Sequence, residues 1–181
     1  MTPSSGDRRR RDLLLGEWAC LGVLYGGPTH GFAIATALRP GGELGRVWSL
    51  SRALTYRSLD QLVDRGLVRA VGEEPGIAGG NRTVLAATRA GRTELRRWLA
   101  TPVEHLRDLR SELLLKLVIA ERCGVDVDDM LRRQRSIVAE LAAALADDGD
   151  DVAAADVDVV VLWRRETSEA ALRVLDHLLT P

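Results

Sequence analysis

A run of hydrogen-bond donors opens one of the predicted helices of this 181-residue chain. Ser49 or Ser51 is suited to cap that helix, and Arg52, Thr55, Tyr56 and Arg57 follow within two turns. Backbone N–H groups at a helix start attract anions, and an arginine fork matches the O6 and N7 atoms of guanine. The chemistry these residues offer is recognition of phosphates and base edges rather than the making of bonds.

Each donor has a distinct expected role in such recognition. Arg52 suits a guanine edge, and the Thr55 methyl suits thymine while its hydroxyl suits a phosphate. Two roles fit Tyr56: a hydroxyl donor to phosphate, or a half-buried ring packed on the first helix. Arg57 lies about 100° further round the helix. One of Tyr56 and Arg57 can therefore lie off a bound duplex.

Three further candidates lie outside this helix. Arg82 opens a predicted strand, where it suits a minor groove or a phosphate, or is simply a solvated strand-end charge. Thr29 is placed to cap a second helix, and His30 begins that helix. His30 suits a phosphate contact, or it braces the turn by hydrogen bonding.

The elements that must position these residues follow from apolar periodicity and turn signals. Helices are predicted over residues 13–25, 30–38 and 52–65, strands over 67–71 and 82–87, and a further helix from 89 to 99 behind a Thr88 cap. The short stretch 47–50 is predicted to be extended, and 72–80 a glycine-rich loop. In the third helix, the side chains expected to face inward are Leu54, Leu59, Leu62 and Val63. This order predicts a winged helix-turn-helix with a two-stranded wing.

The sequence pattern predicts only helices in the second half of the chain. Helices are predicted over residues 106–120, 126–146 and 157–179, the middle one with a stripe of Met130, Ile137, Leu141 and Leu145. The first of them is apolar on more than one face, and about 80 residues make a thin core. We therefore expect a second copy of the chain to cover it. The predicted dimer contacts are Leu113, Leu114, Leu117, Val160, Trp163 and Leu175.

The net charge also differs between the two halves of the chain. Residues 1–100 carry a net charge of +6 and residues 101–181 a net charge of −7, within a total of −1. A basic half joined to an acidic half suggests two units with different partners. We predict a disordered basic arm over 1–12, a winged helix-turn-helix domain over 13–101 and an all-helical dimerisation domain over 102–181. The fold class is mainly α with a small wing.

Other classes of protein find little support. The chain has no apolar run of about 18 residues and no secretory signal pattern, so a cytoplasmic location is expected. Two cysteines cannot form a disulfide framework. No nucleophile elbow, P-loop or HExxH pattern occurs, so neither an enzyme nor a cofactor is expected. The acidic run 147–151 lacks the ligand order of a calcium loop, and the histidines lack metal-ligand spacing, so no metal is expected.

Five motifs, in order, give the chain a family resemblance. They are Gly27-Pro28-Thr29-His30-Gly31-Phe32, Tyr56 through Val68, Gly80-Asn81-Arg82-Thr83, Thr88 through Leu99 with Gly91 and Trp98, and Arg110-Ser111-Glu112-Leu113-Leu114-Leu115-Lys116. The chain resembles the PadR-type transcriptional regulators of bacteria, in the subgroup with a longer C-terminal domain. The sequence departs from the family pattern at Phe32, where Tyr is more common, at Ala53 and Leu54, and in the acidic Glu73-Glu74 pair near the wing tip.

The resemblance implies a homodimeric repressor that binds a palindromic operator in double-stranded DNA. It also implies release by a small aromatic or drug-like effector held between the DNA-binding unit and the dimer helices. Trp18, Trp98 and Trp163 either line such a cavity or belong to the core. The acidic wing leaves an alternative open, a winged-helix module that binds protein and has lost DNA binding.

Overall fold

The computed structural model describes residues 13–76, 80–147 and 158–180. The predicted basic arm and the acidic run beyond Asp147 lie outside the described residues. Helices are α1 (Leu15–Tyr25), α2 (Gly31–Leu38), α3 (Arg52–Asp64), α4 (Arg89–Leu99), α5 (Leu114–Cys123), α6 (Asp128–Asp147) and α7 (Val159–Leu179). Strands are β1 (Thr29–His30), β2 (Val68–Pro75) and β3 (Asn81–Ala87). The predicted fold class is confirmed: a mainly helical chain with a small antiparallel sheet.

The sheet has the order β1-β3-β2, so the wing hairpin carries a third short strand. Thr29 pairs with Leu85 and His30 with Val84 in β1, and Val68 pairs with Ala87 at the base of the hairpin. A bulge between Ala70 and Gly72 shifts the register. The hairpin is longer than predicted, because β2 continues through Gly72 to Pro75, where a loop was expected.

Helix α1 lies at the centre of the first apolar cluster. Every residue from Gly16 to Leu24 is buried, because α2, α3, α4 and α5 all pack around it. The inner face of α3 carries Thr55, Leu59 and Leu62. Leu54 and Val63 were expected to face inward, but they are 49% and 43% exposed. Residues 41–47 form turns, so the stretch predicted to be extended, 47–50, begins within a turn. Leu44, inside these turns, is fully buried.

The helix ends are fixed by local side chains. The Ser51 hydroxyl accepts a hydrogen bond from the Leu54 N–H (3.3 Å) at the start of α3. Gly66, with φ +68°, ends that helix in the left-handed region that glycine tolerates. The Thr88 hydroxyl accepts from the Gly91 N–H (3.1 Å) and caps α4. These caps orient α3 and α4 against the sheet.

A second apolar cluster forms beyond α4. It consists of Val103, Leu109, Leu113, Met130, Leu131, Val138 and Leu175. Helix α5 contributes instead to the first cluster, through Leu115, Ile119 and Ala120. The segment predicted as one helix over 106–120 is a 3₁₀ turn (Leu106–Asp108), a π-helical turn (Leu109–Leu113) and then α5. Because the helical period changes along this segment, Leu109 and Leu113 face the second cluster, whereas Leu115 and Ile119 face the first.

The buried face of α6 differs from the predicted stripe. Met130, Gln134 and Val138 recur at four-residue spacing and are buried, whereas Leu141 is 37% exposed. Gln134 is fully buried because its amide meets both backbone polar groups of Val103. A polar residue therefore lies at the centre of the stripe, where the sequence pattern expected apolar ones.

Candidate nucleic-acid interface

The exposed end of α3 presents most of the donors predicted from the sequence. Ser51, Arg52, Tyr56 and Arg57 all lie at the surface, close to the start of the helix. The prediction that Thr55 contacts DNA is wrong. Its side chain is fully buried, and its hydroxyl donates to the Ser51 carbonyl oxygen (3.1 Å).

Tyr56 packs on α2 rather than on the first helix. A Cβ built on Gly31 would lie 2.8 Å from the Tyr56 Cε1 atom, closer than two carbons approach. Only glycine therefore lets the ring lie against the start of α2. Tyr56 as a whole stays 38% exposed.

His30 caps α2, and Thr29 does not. The His30 Nδ1 atom accepts a hydrogen bond from the Ala33 N–H (3.1 Å), the bracing role that the sequence left open. Thr29 lies one residue earlier, in β1, where it pairs with Leu85. The strand holds Thr29 in a position from which it does not cap the helix.

Two arginines from distant parts of the chain meet over one aromatic ring. The guanidinium carbon of Arg52, from α3, lies 5.7 Å from the centroid of the Phe32 ring. The guanidinium carbon of Arg82, from β3, lies 5.4 Å from the same centroid. Arg52 also lies 5.7 Å from the Tyr56 ring centroid. We call Arg52, Arg82, Phe32 and Tyr56 the arginine–aromatic cluster.

The arginine–aromatic cluster lines an open cleft of about 640 Å³ between α3 and the wing. His30, Asp60 and Asn81 also line this cleft. In the sequence, Phe32 stands out only as a departure from a motif, and Asn81 is not among the predicted site residues. The contact with Arg82 spans 50 positions of the chain, and short-range spacing carries no signal for it.

The wing carries acidic groups beside Arg82. Glu74 pairs with Arg82 across the β2–β3 ladder, and Glu73 accepts a hydrogen bond from the Asn81 side-chain amide (2.7 Å). Both carboxylates are exposed. They add negative charge to the outer part of the hairpin and leave the inner end near Phe32 basic.

The predicted tryptophan set divides between two places. The rings of Trp18 and Trp98 stack with centroids 4.8 Å apart and an 8° angle between their planes. They line a cleft of about 710 Å³ together with Arg65, Arg97 and Glu112, among others. Trp163 is 71% exposed and lines a separate cleft with Leu141 and Leu145. Between residues 13 and 180, as far as the structure describes them, Trp163 thus lines a different cleft from Trp18 and Trp98.

A buried lysine joins α4 to the segment that follows it. The Lys116 ammonium, 1% exposed, donates to the Thr101 carbonyl oxygen (2.6 Å) and pairs with Glu112 (2.8 Å). It also lies 4.9 Å from the Trp98 ring centroid, and the Trp98 indole N–H donates to Glu112 (3.1 Å). Burial lowers the pKa of Lys116 below its usual 10.5, against the opposing effect of Glu112. We call Trp98, Thr101, Glu112 and Lys116 the lysine junction.

The predicted dimer residues also divide. Leu113 and Leu175 are buried in the second cluster of the same chain, and Leu117 packs against that cluster. The prediction that Leu113 and Leu175 need a second copy is wrong, because both are buried in a cluster whose members all come from the same chain. Leu114, Val160 and Trp163 remain exposed, by 38%, 55% and 71%.

The cysteines and the acidic groups offer no further chemistry at this surface. Cys20 is fully buried, and burial raises the pKa of its thiol to about 12. Both Cys20 and Cys123 are free thiols.

In the part of the chain that the structure describes, no group of three or more His, Cys, Asp and Glu is arranged to hold a metal ion. None of the described helices is both long and apolar enough to cross a membrane.

The helix order, the capped α3 and the β2–β3 hairpin define a winged-helix protein. Residues 20–97 match the family model described as "Transcriptional regulator PadR-like family". Residues 20–97 thus form a domain of the PadR-like transcriptional regulator family, which confirms the resemblance for that part of the chain; the fifth motif, at residues 110–116, lies outside the match.

Solved structures give a broader comparison. Bacillus subtilis PadR in complex with operator DNA is 19% identical, with 91% of this chain and 97% of that chain covered and a TM-score of 0.46. The protein smu.1604c from Streptococcus mutans UA159 is 18% identical, with 92% and 99% covered and a TM-score of 0.45. The PadR-like regulator BC1756 from Bacillus cereus is 19% identical, with 91% and 95% covered and a TM-score of 0.39. Among curated proteins, none matches the chain significantly.

Proposed function

We propose that this protein is a sequence-specific, DNA-binding transcriptional repressor that acts as a homodimer. One observation carries the proposal: Arg52 from α3 and Arg82 from the wing converge on one exposed surface beside Tyr56. A winged helix places its recognition helix in the major groove and its wing against the adjacent backbone or minor groove. Both elements here bring an arginine to the place where such a duplex would lie.

The contacts divide by expected role. Arg52, exposed at the first turn of α3, is the proposed base reader. Arg82, Arg57 and Tyr56 are proposed phosphate or minor-groove contacts, with the free N–H groups at the start of α3 behind Ser51. Thr29 and His30 hold the start of α2 beside this surface and support it from behind.

The test is a titration against duplexes selected by the protein from a random-sequence library. Binding of the enriched duplex is measured by fluorescence anisotropy over a range of salt concentrations. Arg82→Ala should weaken binding to all sequences and lower the salt slope by about one ion, the mark of a lost phosphate contact. Arg52→Ala should relax preference at one base pair. Arg132→Ala, an exposed arginine on α6, is the matched control.

The alternative is a winged helix that binds protein instead of DNA, favoured by the exposed Glu73 and Glu74 on the wing. If the protein binds another protein instead of DNA, selection from the random-sequence library should enrich no duplex. Any residual DNA binding is then unaffected by Arg52→Ala and Arg82→Ala.

The homodimer rests on the apolar outer face of α7. Val159, Val160 and Trp163 are 71%, 55% and 71% exposed, more apolar surface than a free helix usually leaves in water. Two recognition helices in one dimer would lie about 34 Å apart to meet successive major grooves. Analytical ultracentrifugation should give twice the chain mass, and Trp163→Glu should shift it toward the single-chain mass. A wild-type monomer at tens of micromolar concentration would contradict the dimer.

The proposed domain division has α1 to α4 as the DNA-binding unit and residues after 101 as the dimerisation and effector unit. The cleft beside Trp18 and Trp98 adjoins both, since Asp108 and Glu112 line its other side. An aromatic effector in this cleft would change the packing between the units, and with it the spacing of the recognition helices. A thermal-shift screen of planar aromatic compounds tests this. Hits should stabilise the wild type, lose that effect in Trp98→Leu, and weaken binding of the selected duplex.

A further inference from the structure

Phe32 is one of several large apolar side chains that stay exposed at the surface. It is the second residue of α2, it is 47% exposed, and it belongs to neither apolar cluster. Folding alone does not account for an aromatic ring at this site, because a ring that stays half in water contributes little to the core.

Two positively charged side chains lie against the Phe32 ring. Arg52 and Arg82 approach it from α3 and from β3, with their guanidinium carbons 5.7 Å and 5.4 Å from its centroid. These distances lie within the range of a cation–π interaction. Among the described residues, no carboxylate forms an ion pair with either arginine, although Glu74 lies across the ladder from Arg82 and Asp60 lines the same cleft.

Two like charges brought to one place repel each other, and the negative faces of an aromatic ring offset part of that repulsion. The ring does so without accepting hydrogen bonds from the guanidinium N–H groups. Those donors therefore stay free for phosphate oxygens or base edges. A carboxylate at position 32 would hold the arginines more strongly but would repel DNA.

We propose that Phe32 is a positioning residue of the DNA-binding surface, which holds the recognition-helix Arg52 and the wing Arg82 over one ring at a fixed spacing. The inference rests on the proposed function, since the duplex is the partner that both arginines would meet. Its consequence is that helix and wing bind as a unit. Their contributions to affinity depend on a residue that itself contacts neither phosphate nor base.

The variants are Phe32→Leu, which removes the ring, and Phe32→Tyr, which keeps it. Val71→Ala, another exposed apolar residue on the wing strand β2, is the matched control. Because Phe32 lies outside both clusters, all three variants should keep the thermal midpoint of the wild type, checked by circular dichroism.

The first readout needs no DNA. In ¹⁵N-correlated NMR spectra of the free protein, the side-chain Nε–Hε signals of Arg52 and Arg82 should carry ring-current shifts. Those shifts should persist in Phe32→Tyr. In Phe32→Leu the Arg82 shift should disappear, and the Arg52 shift should fall to the part that the Tyr56 ring contributes. Wild-type signals at random-coil positions would overturn the arrangement.

The second readout is affinity for the selected duplex. Phe32→Leu should weaken binding about tenfold, Phe32→Tyr should restore it, and Val71→Ala should leave it unchanged. In an Arg52→Ala/Arg82→Ala background, Phe32→Leu should cause no further loss, because it acts only through the two arginines. A full tenfold loss in that background would overturn the positioning role.

The two proposals fail differently. If wild-type protein selects no duplex, the proposed function falls and the positioning role falls with it. If the wild type binds a selected duplex and Phe32→Leu binds it equally well, only the role of Phe32 is overturned.

Discussion

The side-chain amide of Gln134 binds both backbone polar groups of Val103. Its Oε1 atom accepts from the Val103 N–H (2.6 Å), and its Nε2 atom donates to the Val103 carbonyl oxygen (3.0 Å). Gln134 is fully buried and Val103 is 3% exposed. The segment between α4 and α5 has no strand or helix partner at this point, so α6 supplies its hydrogen bonds.

Gln134→Leu should therefore destabilise the protein although leucine is more apolar. The substitution leaves a buried N–H and a buried carbonyl without partners, at a cost of about 2–4 kcal/mol. Urea unfolding followed by circular dichroism measures the loss. Arg132→Ala, on the exposed face of the same helix, should change stability by no more than about 0.5 kcal/mol. A Gln134→Leu variant as stable as that control would contradict the role of the amide.

The lysine junction predicts a specific pattern of non-additivity. Glu112→Ala leaves the buried Lys116 ammonium without its carboxylate and should cost about 3 kcal/mol. Lys116→Met removes the charge itself and keeps an apolar stem against Trp98. The double variant should therefore be more stable than Glu112→Ala alone. Urea unfolding of all four proteins at neutral pH gives the coupling energy, and additive single losses would show that the pair does not interact.

The same lysine predicts a dependence on pH. Burial lowers the folded-state pKa of Lys116 below its ordinary 10.5. Between the lowered folded value and 10.5 the unfolded chain holds more protons than the folded one, so stability rises with pH in that window. The difference in unfolding free energy between wild type and Lys116→Met should thus change in favour of the wild type as pH increases toward 10.5. A flat difference would mean that Lys116 titrates alike in both states.

The parts of the fold that depend on neighbouring residues could be predicted from the sequence. Thr88 is predicted as a cap, and Ser51 as one of two candidates with Ser49, because a cap acts within three residues; the structure selects Ser51. The assignment of Thr29 as a cap was wrong by one residue. The deciding fact is its pairing with Leu85, a contact across 56 positions that no local pattern records.

Polar residues inside apolar stripes account for most other differences. Gln134 and Lys116 are buried because distant backbone carbonyls accept their hydrogen bonds, and a periodicity of apolar residues passes over them. Thr55 is similar: it was identified as a DNA contact, but its hydroxyl is satisfied by Ser51 within the same turn. The arginines of the candidate site could be found from the sequence, whereas the ring that joins them could not.

The two thiols should differ in reactivity. Burial raises the pKa of Cys20 to about 12, so almost none of it is thiolate near pH 8. Cys123 is only partly buried, at the end of α5, although burial raises its pKa as well. Ellman's reagent should modify Cys123 in the native protein at least about 100-fold faster than Cys20. The variants Cys123→Ser and Cys20→Ala report each thiol separately, and similar native rates would contradict the burial of Cys20.

Gly91 is a glycine whose replacement should damage the winged helix directly. A Cβ at this position would lie 2.2 Å from the Leu67 carbonyl oxygen, which also accepts hydrogen bonds from the Thr88 N–H (2.9 Å) and hydroxyl (3.2 Å). The carbonyl cannot move aside without loosening the cap of α4. Gly91→Ala should therefore cost about 2–3 kcal/mol in urea unfolding. Gly72→Ala is the matched control, because a Cβ there meets nothing within 4 Å, and it should change stability by about 0.5 kcal/mol or less. Equal stability of the two variants would mean that α4 does not pack on Leu67 as closely as this contact requires.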